Sequence, residues 1–268
     1  MNRQAQSAVL FLLGAALLHA GSTDLYLRYV KAGLQPLLLA AGVVLIVAAA
    51  ATWWYERKQP AVEDGHPGES HFAEAHSVEP DSVEPYSGEA HADEAEGGHS
   101  HREPRISWML VLPLLALILI APPALGSYSA NRTGTALQEP VYYGKLPATG
   151  PLRLALVDYA GRAIYDNGKI KGRTIQIAGF LALGKDGTPY LVRMALSCCA
   201  ADAQPVKVAL TGDIPPVLQP DTWLLITGTY SPRRMTDPVN GGPIPFIQVT
   251  KAAPVAQPTD PYDETWNG

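Results

Sequence analysis

The sequence predicts a membrane protein with an α-helical N-terminal part, three transmembrane helices in all, and a small, mainly β C-terminal domain. Three apolar stretches without a charged residue are each close to the roughly 20 residues that cross a bilayer as a helix. After residue 150, short runs of β-branched and apolar residues alternate with turn residues, a pattern typical of strands. The net charge of −5 conceals regions of opposite charge, which we therefore treat separately.

Residues 1–58 contain the first two predicted transmembrane helices, at 4–22 and Ala32–Tyr55. The third predicted transmembrane helix covers residues 106–126. The first stretch is short enough to resemble a signal peptide, but a second apolar stretch follows almost at once. We therefore interpret the first stretch as a retained helix and the chain as a multi-pass protein of the plasma membrane.

Positive residues near the ends of these stretches predict the orientation of the chain. Five of them lie before the first helix or in the linker between the second and third: Arg3, Arg57, Lys58, Arg102 and Arg105. The opposite side has two, Arg28 and Lys31. This bias predicts a cytoplasmic N-terminus and linker, and an extracytoplasmic C-terminal domain.

Residues 59–105 are predicted to be a disordered acidic linker. Glu, Ser, Pro, Gly and Ala dominate it, and it has too few large apolar side chains to offset the entropy of ordering. Six histidines lie among its carboxylates: His66, His71, His76, His91, His99 and His101. Their irregular spacing favours a solvated linker, and weak binding of divalent metal stays open as a hypothesis.

The remaining sequence is divided into a stalk at 127–150, a β-barrel domain at 151–256 and a flexible tail at 257–268. An amphipathic helix is predicted at 152–165. Five strands are predicted at Thr174–Leu183, 190–196, 206–210, 221–230 and 244–250. Interior glycines in two of them, Gly179 and Gly228, are expected where a small barrel bends. Five strands and one helix predict an OB-like barrel, with a generic β-sandwich as the alternative.

Cys198 and Cys199 are the two cysteines of the chain, and they are adjacent. Neighbouring side chains of a regular strand point to opposite faces, so the two thiols converge only if the chain turns there. The Ala and Asp residues that follow, and then Pro205, favour such a break, and Asp202 is placed to fold back toward the thiols. Three hypotheses remain: a soft-metal site of Cys198, Cys199 and Asp202, a redox-active thiol pair, or a purely structural role.

Several functions are disfavoured by the sequence of this domain. Residues 123–268 contain no histidine, which argues against the common zinc sites and against a His-activated cysteine nucleophile. Phosphate-binding glycine loops, HExxH and nucleophile-elbow motifs are absent from the sequence, so we expect no enzyme activity. The domain is nearly neutral and predicted to lie outside the cell, so nucleic-acid binding is not expected.

Four short segments resemble the YcgQ-like family of bacterial membrane proteins, which are described as permease subunits. They are Gly172-Arg173-Thr174 with Gly179-Phe180, the run from Cys198 to Pro205, Asp221-Thr222-Trp223 with Thr227-Gly228-Thr229, and Asp260-Pro261-Tyr262. The resemblance covers the helices and the C-terminal domain but not the linker. It implies a partner, a multi-helix permease of the YraQ-like type, and it leaves the substrate undefined.

The leading hypothesis is therefore an accessory subunit of a permease, with an extracytoplasmic Cys198, Cys199 and Asp202 site for a divalent metal such as zinc. A membrane-anchored thiol-disulfide redox protein is the second hypothesis, and it requires an accessible thiol of low pKa. In a third, the barrel is an anchor that binds only protein partners.

Overall fold

A computed structural model describes residues 3–58, 123–214 and 219–265, with single positions 112, 115, 116 and 120 between the first two ranges. The predicted linker, and most of the predicted third transmembrane helix at 106–126, lie outside the described residues. The last four residues of that predicted helix, 123–126, are described and are not helical.

Two antiparallel helices form the N-terminal part, α1 at Arg3–Gly21 and α2 at Gln35–Lys58. They pack closely because Gly14 and Gly42 face each other: a Cβ added at Gly14 would lie 2.9 Å from the Gly42 carbonyl oxygen. The Ser7 hydroxyl donates a hydrogen bond to the Ala49 carbonyl across this contact, at 3.0 Å. The hairpin is therefore fixed by backbone-to-backbone proximity as well as by apolar contact.

One helix within the described residues, Ala32–Tyr55, is long and apolar enough to cross a membrane, with a mean hydropathy of 2.3. The apolar part of α1, Gln6–Gly21, is shorter than that. The prediction of three transmembrane helices is therefore not supported in this form. The first predicted span falls short of the required length because its apolar run ends at a 3₁₀ turn, Asp24–Arg28, and the third lies mostly outside the described residues.

The C-terminal region is a closed five-stranded barrel. Its strands are β2 at Thr174–Leu183, β3 at Pro189–Ala195, β4 at Gln204–Gly212, β5 at Trp223–Thr236 and β6 at Pro243–Pro254. The strand order is β2-β3-β4-β6-β5, and β5 pairs again with β2 to close the barrel. All barrel pairs are antiparallel except β4 with β6, which is parallel. Closure rules out the alternative of a β-sandwich.

A short strand and a helix precede the barrel. The predicted helix at 152–165 is wrong in its first four residues and right in the rest. Leu152–Arg153 form strand β1, which pairs in parallel with Ile175 and Gln176 of β2. The helix, α4, begins only at Leu156 and ends at Tyr165. Its apolar face lies in the main core with side chains of the barrel interior, among them Ile177, Leu191, Val208, Ile226 and Ile247. Local periodicity did not reveal β1 because its pairing partner is more than 20 residues away.

The two interior glycines lie where strands approach each other closely. A Cβ at Gly179 would lie 2.6 Å from the Val192 carbonyl oxygen, and one at Gly228 would overlap the Gln248 carbonyl oxygen. The β5–β6 register shifts between Thr227 and Gly228, which marks a β-bulge. Gly228 therefore lies at an irregularity of the barrel, and Gly179 lies where two strands approach too closely for a side chain.

The segments predicted as a stalk and a flexible tail both contain residues that pack against the barrel. Residues Ser127–Arg132 form helix α3, in which Ala130 is fully buried. In the tail, Tyr262 is buried, and its hydroxyl accepts a hydrogen bond from the Leu125 N–H group at 3.0 Å. The segment before the barrel, at 123–126, is thus hydrogen-bonded to the segment that follows the last strand.

Candidate metal or thiol site

The cysteine pair lies in the connection between β3 and β4. Strand β3 ends at Ala195 and β4 begins at Gln204, and a 3₁₀ turn at Ala200–Asp202 lies between them. The predicted break in the strand is therefore present. Its predicted cause is only partly right, because Pro205 belongs to β4 and pairs with Met194. The turn follows from Asp202, whose side chain folds back on the preceding residues. We call residues 196–203 the thiol loop.

The Asp202 carboxylate accepts three backbone hydrogen bonds from the thiol loop. Ser197 N–H donates to Oδ1 at 2.9 Å, and Cys198 N–H donates to Oδ2 at 2.8 Å. Cys199 N–H makes a longer bond to Oδ2, at 3.4 Å. Because one side chain holds three consecutive amides, the loop keeps a shape in which both cysteines are turned toward Asp202.

This shape brings together the three residues that the sequence predicted as a site. One ligand atom from each of Cys198, Cys199 and Asp202 lies within 4.8 Å of the others. Cys198 is exposed, Cys199 is half-buried, and both thiols are free. A ligand could therefore reach the cluster directly from solvent.

Hydrogen bonding between the thiol and the carboxylate changes the pKa of both groups. The hydrogen bond to Asp202, followed by one to Cys199, raises the pKa of the Cys198 thiol to about 11. The hydrogen bond from that thiol, together with the backbone N–H donors, lowers the pKa of Asp202 to about 2. At neutral pH the site therefore holds a protonated Cys198 beside an ionised Asp202.

The loop between the two N-terminal helices contacts the thiol loop through its backbone. Val30 and Cys199 form an antiparallel β-bridge. Lys31 N–H donates to the Cys198 carbonyl at 3.0 Å, and Ala200 N–H donates to the Tyr29 carbonyl at 2.7 Å. The Lys31 ammonium group also reaches the Leu196 carbonyl, at 3.4 Å. The site is thus attached on both sides of Cys199 to the N-terminal helix hairpin.

Sequence reasoning did not find this contact. The bonds from residues 29–31 use main-chain atoms, which every residue carries, so no residue type at these positions indicates a partner. In the sequence, Lys31 contributes a positive charge to the predicted membrane orientation of the chain. Nothing in the sequence indicates that its side chain also lies beside the thiol loop. The predicted linker ligands His66, His71, His76, His91, His99 and His101 lie outside the described residues.

The chemistry open to this cluster follows from its donors. Two thiolates and a carboxylate are suitable ligands for zinc, which takes four, so a fourth position is left for solvent, substrate or a partner. A thiol-disulfide reaction also begins from a thiolate, and the raised pKa of Cys198 keeps this thiol protonated at neutral pH. Metal binding and thiol redox chemistry both require loss of this proton, so the raised pKa does not discriminate between them.

Comparison with known proteins finds a similarity that covers the barrel. No curated protein and no solved structure matches the chain. A family described as the DUF1980 C-terminal domain matches residues 158–263, a range that contains most of α4, all five barrel strands and the thiol loop. This match is consistent with the resemblance to the YcgQ-like family. The barrel region of this protein, residues 158–263, is thus similar to the DUF1980 C-terminal domain.

Proposed function

We propose that this protein is an accessory subunit of a membrane permease, of the YcgQ-like kind, whose thiol loop binds a divalent metal such as zinc. The observation that carries the proposal is the cluster of Cys198, Cys199 and Asp202, with ligand atoms within 4.8 Å, in a loop bonded to the membrane hairpin. The role is one of binding and docking rather than of catalysis. The partner is a multi-helix permease of the YraQ-like type.

The proposed topology has three membrane crossings with the barrel outside the cell. Helix α2 has 24 residues, so its Lys58 end lies roughly 36 Å from the end that adjoins the thiol loop. The chain must return over this distance before residue 123, and residues 106–122 are an apolar stretch that suits a third crossing. Arg57 and Lys58 stack on Trp53 and Trp54 at the Lys58 end, as expected of a cytoplasmic membrane interface.

Metal binding at this site is coupled to proton release. Because Asp202 is already ionised and Cys198 is protonated at neutral pH, binding a cation displaces the Cys198 proton to solvent. Asp202 keeps the loop folded before the metal arrives, since its carboxylate holds three amides in place. The preformed loop lowers the ordering cost of binding.

Purification of the intact protein from its native membrane in mild detergent, with mass spectrometry of the associated proteins, tests the permease role. We expect a multi-helix permease in stoichiometric amount. Repeated preparations with gentle crosslinking that contain no transporter would reject the subunit role and leave the redox and anchor hypotheses. Those two differ in Cys198→Ser and Cys199→Ser variants, which alter the phenotype only if the thiols are used.

A further inference from the structure

We propose that residues 29–31, between the two N-terminal helices, are a positioning strand for the thiol loop, and that they link metal occupancy of Cys198 and Cys199 to the membrane helices. The link to metal occupancy rests on the proposed metal-binding function. The positioning role rests on the contacts of the metal-free protein.

The contact is a segment of β-ladder between two parts of the chain far apart in sequence. Its two backbone bonds flank Cys199, one to the Cys198 carbonyl and one from the Ala200 amide. In this pattern the bridged residues, Val30 and Cys199, form a non-hydrogen-bonded pair, whose side chains lie close together on one face. Cys199 is half-buried while Cys198 is exposed, as expected if Val30 covers one side of Cys199.

Both partners of this bridge belong to structured units. On one side, Asp202 fixes the amides of Ser197, Cys198 and Cys199, so the thiol loop moves as a unit. On the other, Leu34 N–H donates to the Lys31 carbonyl in a 3₁₀ turn at Ala32–Leu34 that leads directly into α2. No residue separates that turn from the first residue of the helix, Gln35.

The Gln35 side chain adds a further connection. Its amide nitrogen donates to the Gly21 carbonyl at the end of α1, at 2.9 Å. Displacement of the bridge therefore acts on both helices of the hairpin. The same loop also meets the tail, since Asp24 and Arg28 line one cavity of about 370 Å³ with Gln257 and Pro261.

Metal binding fixes the distance between the two cysteine sulfurs. In a tetrahedral site with Zn–S bonds of about 2.3 Å, two sulfurs are roughly 3.8 Å apart, a separation compatible with the present cluster, whose ligand atoms lie within 4.8 Å of one another. A cation bound to both cysteines restrains the conformation of the thiol loop. The backbone bonds of the bridge transmit this restraint to residues 29–35. By thermodynamic reciprocity, a bridge that favours the metal-bound loop is itself strengthened when metal binds.

Lys31→Pro is the substitution that removes the bridge bond with least disturbance. Lys31 has φ −60° and ψ 138°, which suits the proline ring, so the change deletes the N–H donor to Cys198 without backbone strain at this residue. Lys31→Ala is the matched control, because it removes the ammonium contact to Leu196 and keeps the N–H group. Unchanged amide exchange in the barrel strands of both variants verifies that the fold is intact.

Two measurements on the full chain in detergent test the inference. The first is amide hydrogen exchange of residues 196–203 without metal, expected to be roughly tenfold faster in Lys31→Pro and close to wild type in Lys31→Ala. The second is titration with Co²⁺, followed by the thiolate-to-cobalt absorption, which linker histidines do not produce. We expect roughly tenfold weaker binding in Lys31→Pro only, and slower exchange of residues 29–35 when wild type is loaded.

The outcomes separate this inference from the proposed function. Unchanged exchange of residues 196–203 in Lys31→Pro overturns the positioning role, whether or not cobalt binds. Faster exchange together with no thiolate-cobalt absorption in wild type supports the positioning role and rejects the metal site, and with it the link to occupancy. Cobalt binding in wild type that leaves the exchange of residues 29–35 unchanged overturns the link alone.

Discussion

At the scale of single residues, Asp202 sets both the shape of the thiol loop and the protonation of its outer thiol. Its carboxylate accepts hydrogen bonds from three consecutive amides and from the Cys198 thiol. An amide side chain at this position would keep an oxygen acceptor but lose the negative charge. Asp202→Asn therefore separates the electrostatic contribution of this residue from its role as a cap.

The first prediction concerns the acidity of Cys198. In Asp202→Asn the charged acceptor is gone, so the pKa of the thiol falls from about 11 toward the ordinary thiol value. The rate of alkylation by iodoacetamide, measured against pH with Cys199→Ser in both proteins, reports this pKa. We expect the Asp202→Asn profile to rise at lower pH than that of the matched Asp202 protein. Superimposable profiles would show that Asp202 does not control the thiol.

The second prediction concerns the pH dependence of metal binding. Because Cys198 is protonated below a pH of about 11, each cation displaces at least this one proton, and the apparent affinity must rise with pH across the neutral range. Displacement of one proton raises the apparent metal affinity about tenfold per pH unit. Zinc titrations between about pH 6.5 and 8, repeated calorimetrically in buffers of different ionisation enthalpy, count the protons. An affinity independent of pH would contradict the assignment of Cys198 as a ligand.

At the scale of elements, local pattern predicted the strands well where β-branched and apolar residues are dense and turn residues lie close to the strand ends. Strand β2 was predicted with the bounds it has, Thr174–Leu183, because β-branched and apolar residues fill it and Gly172 and Gly184 lie just outside it. Strands β5 and β6 continue further than predicted, to Thr236 and Pro254. Their outer parts contain Arg, Lys and Pro. The end of each strand is held by pairing with the beginning of the other, which a local pattern does not encode.

The contact of helix α3 and the following residues with the barrel also escaped prediction. It depends on an ion pair between Lys207 of β4 and Asp237 after β5, 2.8 Å apart, with side chains only 5% and 0% exposed. Lys207 also donates to the Thr133 carbonyl, and Asp237 accepts from the Thr135 N–H group. Charged residues are rarely buried unless paired, and no feature of the sequence indicates which partner each of these has.

The third prediction follows from this ion pair. Burial raises the pKa of Asp237, but hydrogen bonds from Lys207, Val239 and Thr135 together lower it, so the carboxyl is ionised at neutral pH. Lys207→Met leaves a buried charge without its cation and is expected to cost about 3–5 kcal/mol of unfolding free energy. Thermal or urea unfolding of the intact protein in detergent, followed by tryptophan fluorescence, measures the loss.

A double variant tests the stated cause of that loss. Lys207→Met with Asp237→Asn removes the uncompensated charge and keeps an oxygen that accepts from the nearby amides. It should therefore be more stable than Lys207→Met alone. A double variant less stable than Lys207→Met would assign the loss to packing instead of charge.

At the scale of the whole molecule, the main unpredicted feature is the junction between the hairpin and the barrel. The sequence predicted a cluster of Cys198, Cys199 and Asp202 because those residue types carry specific chemistry, and the structure brings the three together. The partner segment at 29–31 contributes main-chain bonds, and the distance along the chain, about 168 residues, gives no local signal. The fourth prediction is that this junction lies on the extracytoplasmic side of the membrane.

That prediction uses the two native cysteines as reporters of topology. If the loop between α1 and α2 and the barrel are outside the cell, a membrane-impermeant maleimide should label Cys198 on intact cells, since its side chain is exposed. Cys198→Ser/Cys199→Ser is the matched control for background. Labelling that appears only after lysis would place the junction in the cytoplasm and reverse the proposed orientation.

The most direct test of the account is a Co²⁺ titration of the reduced, intact protein, with Cys198→Ser/Cys199→Ser and Asp202→Asn as comparisons. We expect thiolate-to-cobalt absorption that saturates at one ion per chain, disappears in the double cysteine variant, weakens in Asp202→Asn and is reversed by zinc. This result would establish Cys198, Cys199 and Asp202 as a metal site. Absence of that absorption in the reduced wild-type protein would contradict the central claim.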